Sequence, residues 1–190
     1  SIQASVGASL LALVLGSMAA YGLSRFQYHW KIWKNRDISF FFLSQLILPP
    51  VVLAMPFLVL YKELALLDTR VGLIMLYTLM VLPIVVWIMR DQFSAIPVEL
   101  EEAAVVDGAK PVTIVTKVFM PLMWPALATT GLLAFIAAWN EFLFALTFTL
   151  STEMRTVPVA IALISGASAH ELPWGNIMAA SVIVTVPLLV

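Results

Sequence analysis

The groups with most chemistry to offer are carboxylates, and they stand in two places. Glu99, Glu101, Glu102 and Asp107 fall within nine positions that hold no basic residue. Glu141 stands apart, breaking a long apolar run beside Asn140. The first group suits ion pairing with a partner surface, and the second suits a polar contact or a proton-carrying role inside a bilayer. Thiol chemistry is excluded because the chain has no Cys, which removes Cys nucleophiles, thiolate metal sites and disulfides together. The two histidines, His29 and His170, read as an interfacial residue and a loop residue, and no metal site is expected. No G-x-x-x-x-G-K-[S/T] string occurs, so the chain has no nucleotide-binding loop of its own.

The elements that position these groups follow from composition. The chain has 190 residues, 62% of them hydrophobic and 11% charged, with a mean hydropathy of +1.02. Soluble domains carry about 25% charged residues. A soluble domain of this length cannot hide so much apolar side chain. A soluble enzyme and a disordered chain are therefore excluded. A net charge of −1 leaves no basic excess to neutralise a nucleic acid.

Five stretches carry no Asp, Glu, Lys or Arg: 1–24, 38–61, 71–89, 118–140 and 172–190. Each is long enough for a helix that crosses a hydrocarbon layer of ~30 Å at ~1.5 Å per residue. Lipid favours the helix because it satisfies its own backbone polar groups. Five spans are predicted, with 142–152 extending the fourth and 156–170 too short to cross. Seven basic residues lie in the loops after spans one and three: Arg25, Lys31, Lys34, Arg36, Arg90, Lys110 and Lys117. Lys62, Arg70 and Arg155 lie in the other two. Loops 24–37 and 90–121 are thus placed in the cytoplasm. That orientation makes a further helix before residue 1, and six spans in all, the expectation. Trp30, Trp33, Trp124 and Trp174 read as interfacial anchors. Pro49, Pro50, Pro56 and Pro83 are expected to kink spans two and three.

The 90–121 loop is too long, and too poor in Gly and Ser, to be without structure. Pro97 opens a short helix with Glu99, Glu101 and Glu102 in its first turns, where carboxylates suit the positive helix end. Asp107-Gly108 stops it, Gly108 taking a left-handed cap. Pro111 is expected to open a second short helix through Lys117, and Pro121 to end the segment. Helices lying on a membrane surface usually carry Lys and Arg. An acidic helix with small residues fits a partner's groove better.

Glu102-Ala103-Ala104-Val105-Val106-Asp107-Gly108-Ala109, then eight residues, then Val118-Phe119-Met120-Pro121, resembles the EAA loop of ABC importer permeases. That pattern is EAA, two residues, DGA, eight residues and Ile-x-Leu-Pro, so Val118 and Met120 depart from it conservatively. Ala138-Trp139-Asn140-Glu141-Phe142 resembles a segment of the carbohydrate branch, in maltose-type second permease subunits. Thr156–Ala160, Trp174-Gly175 and Leu82-Pro83 followed by Trp87 are similar to that branch as well.

The resemblance implies an all-α, polytopic transmembrane helix bundle of the type I ABC importer permease kind, with five of about six spans present. Residues 1–190 would form a single permease domain with the 90–121 coupling loop inside it, in a prokaryotic inner membrane. It implies that Glu102, Ala103, Ala104, Asp107, Gly108, Ala109 and Pro121 couple the chain to an ATPase. It implies as partners a second homologous permease, two ATP-binding subunits that hold ATP and Mg, and an extracytoplasmic solute-binding protein. Outer loop 151–175 is the expected contact for that last partner, and the solute is expected to be a sugar. Gln45, Trp139, Asn140, Glu141 and Phe142 are the candidate substrate-pathway residues. A secondary carrier driven by an ion gradient, using Glu141, and a purely structural membrane subunit or channel stay open as alternatives.

Overall fold

Long runs of Leu, Ala, Val and Met form helices in the computed structural model, which describes residues 1–27, 34–166 and 174–189. His29, Trp30, Lys31, Trp33 and His170 lie outside the described residues. The elements are α1 (Ile2–Arg25), α2 (Asn35–Ile47), α3 (Pro50–Glu63), α4 (Arg70–Ala95) and α5 (Val98–Val106). After these come α6 (Pro111–Thr113), a π-helical stretch (Ile114–Phe119), α7 (Met120–Trp139), α8 (Leu143–Phe148), α9 (Val157–Gly166) and α10 (Trp174–Leu189).

Among the described residues, three helical stretches are long and apolar enough to cross a membrane: Ile2–Arg25, Arg70–Ala95 and Pro111–Trp139. α2 and α3 pass the same test only when taken together, as a broken span or a re-entrant loop. The break lies at Pro49-Pro50, and its cause is local. A residue before proline is pushed out of the helical region. Leu48 and Pro49 both precede a proline, and both are extended, with ψ of 126° and 128°. Pro50 then opens α3, where its missing N–H costs nothing. Pro56 and Pro83 lie inside α3 and α4 without ending them.

The chain packs as two units. One comprises Ser1–Ala8, Pro49–Tyr77 and Ile136–Val190. Its core holds Tyr61, Leu76, Tyr77, Phe144, Phe148 and Val159. Tyr61 packs edge-on against Phe148, with ring centroids 5.2 Å apart, and donates its hydroxyl hydrogen to the Gly72 carbonyl. The other unit comprises Ser9–Leu48 and Thr78–Phe135. Its core holds Val85, Val86, Met89, Phe93, Ile114, Phe119 and Met123.

α1 shows how a membrane helix divides its faces. Its buried stripe is small: Ala4, Ala8, Ala12, Gly16 and Ala20 recur every fourth residue. Its exposed side is large: Ile2, Leu10, Val14 and Met18. Burying an apolar side chain gains nothing over lipid, so close approach of helices is what packing rewards. Gly16 illustrates this, since a Cβ there would stand 2.6 Å from Cγ1 of Val85.

Two expectations are corrected. The fourth span does not continue through 142–152, because α7 stops at Trp139 and α8 is a separate short helix. Pro111 does not open a separate short helix that ends at Lys117, and Pro121 does not end the segment. Helix runs without a gap from Pro111 to Trp139. In α-helical register a proline clashes with the carbonyl four residues back. Just before Pro121 the register widens, and the Met120 N–H reaches the Val115 carbonyl, five residues back. The π-helical turns carry the chain past the proline.

Candidate functional site

α5 is built from its two ends. Pro97 is its N-cap, in extended geometry, so the helix begins one residue later than expected, at Val98. Glu99 and Glu101 occupy the first turn. At the far end the Gly108 N–H donates to the Val105 carbonyl, and the Ala109 N–H to the Ala104 carbonyl, both at 2.9 Å. Gly108 has φ +79°. These are the two bonds and the left-handed residue of a Schellman cap, so Asp107-Gly108-Ala109 end the helix through the backbone.

The coupling candidates divide by face. Glu102, Ala103, Asp107 and Gly108 are exposed, while Ala104 and Ala109 are half-buried. Val98, Leu100, Val105 and Val106 are exposed too, Val106 at 86%. A nine-residue helix showing this much apolar surface beside carboxylates has the make-up of a docking surface. Pro121 is exposed at the start of α7, ten residues after α6 begins and beyond the π-helical stretch.

Behind this face lies a cluster that sequence reasoning missed. The Tyr21 hydroxyl donates to Glu101 Oε1 at 2.9 Å. Arg25 Nε forms an ion pair with Glu101 Oε2 at 3.2 Å. Arg25 Nη2 donates to the Ile96 carbonyl at 3.0 Å, and the guanidinium lies 5.3 Å from the centroid of the Phe119 ring. Tyr21, Phe93 and Phe119 stack around it, with centroids 5.6 to 6.0 Å apart. In the sequence Arg25 reads only as a loop charge that orients the membrane. Nothing local marks it as a partner for a residue 76 positions on.

The pathway candidates are brought together only in part. Trp139 is buried at the end of α7. The Asn140 side-chain amide donates to the Ile136 carbonyl at 2.9 Å, closing the last turn of α7. The Glu141 carboxylate accepts the Phe144 and Ala145 amides at 2.9 and 3.0 Å. Asn140 and Glu141 thus stop one helix and start the next, and Phe142, at the N-cap position of α8, is exposed. Gln45 is half-buried on α2 and belongs to the other unit. An apolar cavity of about 410 Å³ opens beside Trp139, lined also by Gln3, Val157 and Ile183.

A second cluster joins loops far apart in sequence. Asp68 has φ +57°. Its Oδ1 accepts the Leu150 and Ser151 amides at 2.8 and 3.0 Å, and its own N–H donates to the Phe148 carbonyl. The Ser151 amide above all holds this carboxyl below the usual range; burial opposes it less strongly, and the Leu150 amide adds a smaller lowering effect.

The family model described as "Binding-protein-dependent transport system inner membrane component" matches residues 12–190. The trehalose/maltose transport system permease protein MalG of Thermococcus litoralis is 41% identical over 96% of the chain, which spans 64% of that protein. The trehalose transport system permease protein SugB of Mycobacterium tuberculosis is 37% identical over the whole chain, which spans 68% of it. A crystal structure of a bacterial ABC transporter that imports the acidic polysaccharide alginate contains a similar chain. The fold matches over 98% of this chain and 71% of that one, with a TM-score of 0.68 at 23% identity.

Proposed function

The chain belongs to the binding-protein-dependent transport system inner membrane components, and on that premise we propose that it is the membrane-spanning subunit of an ATP-driven sugar importer. The observation that carries this is the two-sided build of α5. Glu102, Ala103, Asp107 and Gly108 are exposed, while the neighbouring Glu101 is tied inward. Small residues let another backbone approach, and the glycine cap ends the helix without a side chain in the way.

In this reading a cytoplasmic ATPase subunit receives α5 in a groove, with Glu102 making the polar contact. A second permease completes the pathway, and two ATPase subunits bind ATP and Mg. Nucleotide-driven closure of those subunits moves α5, and α5 moves the spans, so that the pathway opens alternately to either side. An extracytoplasmic binding protein delivers the solute, meeting the chain at loop 151–175. The two relatives named for trehalose and maltose transport make these sugars the first to test.

The test is uptake by vesicles that hold the complete complex. Trehalose or maltose uptake requiring internal ATP and the loaded binding protein is expected. Uptake that proceeds without ATP and follows an imposed proton gradient would replace this reading with a secondary carrier.

A further inference from the structure

We propose that Arg25 and Glu101 form a lock that makes α5 and the end of α1 a single lever; the proposal rests on reading α5 as the coupling helix. Neighbouring residues on a helix point about 100° apart. Glu102 faces outward, while Glu101 turns in, its side chain 22% exposed against Arg25 at 7%.

The Arg25 guanidinium engages both ends of the coupling loop. Nη2 holds the Ile96 carbonyl just before α5, and the cation faces Phe119, which follows α5 after the Gly108 turn. Nε holds α5 itself through Glu101. Tyr21, one turn back on α1, takes the other oxygen of the same carboxylate. Two side chains of one helix, at i and i+4, therefore grip one carboxylate of another. α5 cannot roll about its axis or slide along α1 without breaking one of these bonds.

An ion pair that is only part-buried adds little net stability compared with apolar packing. Direction comes instead from two hydrogen bonds, Tyr21 to Glu101 and Arg25 Nη2 to the Ile96 carbonyl, which fix angles that apolar contacts leave free to slip. That property is what a lever needs. Arg25, Glu101 and Tyr21 are positioning residues here, acting through α5 on whatever α5 docks against.

The experiment is a distance measurement in the assembled complex. The chain has no Cys, so Met18→Cys on α1 and Glu99→Cys on α5 can carry a pair of spin labels, with cysteine-free partner subunits. Both positions are exposed. With Arg25 and Glu101 intact, one narrow distance is expected, unchanged when the complex is trapped with ATP and vanadate. In Glu101→Gln or Arg25→Gln the distance is expected to broaden and to shift on trapping, while the ATPase subunits still co-purify. The double variant is expected to be no broader than either single one, because one linkage has been cut once. Tyr21→Phe keeps the ring stack and loses only one bond, so it gives a smaller broadening and serves if the stronger variants do not assemble. Wild-type distances in Arg25→Gln and Glu101→Gln, before and after trapping, would overturn the lock. Failure of the unmutated chain to co-purify with an ATPase would instead overturn the coupling reading beneath it.

Discussion

Asp68 Oδ1 accepts the Leu150 amide at 2.8 Å across 82 residues of sequence, and the adjacent Ser151 amide at 3.0 Å. One carboxylate thereby ties the turn before α4 to the loop after α8. Its folded pKa lies below the unfolded value, so it stabilises the fold above the unfolded Asp pKa of about 3.9. That contribution is lost as pH falls through the lowered folded pKa. Asn tolerates the left-handed backbone at this position, so Asp68→Asn removes the charge and keeps the shape. Melting of the detergent-solubilised complex between pH 3 and 7 is expected to show a gap between wild type and Asp68→Asn above about pH 4. The gap closes in acid. A constant gap at every pH would mean that the charge is not what matters.

Gly108→Asp is expected to separate folding from coupling. The residue is left-handed, at φ +79°, and nothing lies within 4 Å of where a Cβ would sit. The local cost is that of a non-glycine residue in this region, roughly 1–2 kcal/mol. Melting and membrane insertion should change little. The ratio of solute moved to ATP hydrolysed, measured in vesicles, should fall. A wild-type ratio would argue that the cap is no part of the docking surface.

Gly16 tests the close packing of α1 against α4. Gly16→Ala would put a Cβ 2.6 Å from Val85 Cγ1, and valine is stiff at χ1 in a helix. Overpacking of this kind costs about 1–3 kcal/mol. The double variant Gly16→Ala/Val85→Ala should recover a share of that loss. Thermal denaturation of the single and double variants decides it, and equal destabilisation in both would refute the contact.

Glu141 separates the importer from a carrier. As the cap of α8, its loss in Glu141→Ala should cost about 1 kcal/mol, in line with other N-terminal caps. Glu141→Gln retains an acceptor oxygen and should behave closer to wild type. ATP-driven uptake should be unaffected by a protonophore in the wild type and in Glu141→Gln. Abolition of uptake by the protonophore would restore Glu141 as a proton carrier.

The apolar stretches, the break at Pro49-Pro50 and the glycine cap at Gly108 can be read from the chain itself. Each depends on forces that act within a few residues: transfer into lipid, the restriction imposed by a following proline, and the freedom of glycine at positive φ. α5 was legible for that reason, within one residue of its start. The end of α7 was not, because Asn140 and Glu141 read as pathway polar groups until the bonds to the Ile136 carbonyl and the Phe144 amide are visible.

Other features required the tertiary structure. Glu101 and Glu102 are identical in kind and adjacent in sequence, yet one grips Tyr21 and Arg25 and the other faces outward. Asp68 is one loop acid among several until it meets the Leu150 and Ser151 amides. In both cases the partner lies 76 to 83 residues away. A hydrogen bond is specified by angle and by a few tenths of an ångström, and across such separations only the packing of whole helices sets those quantities.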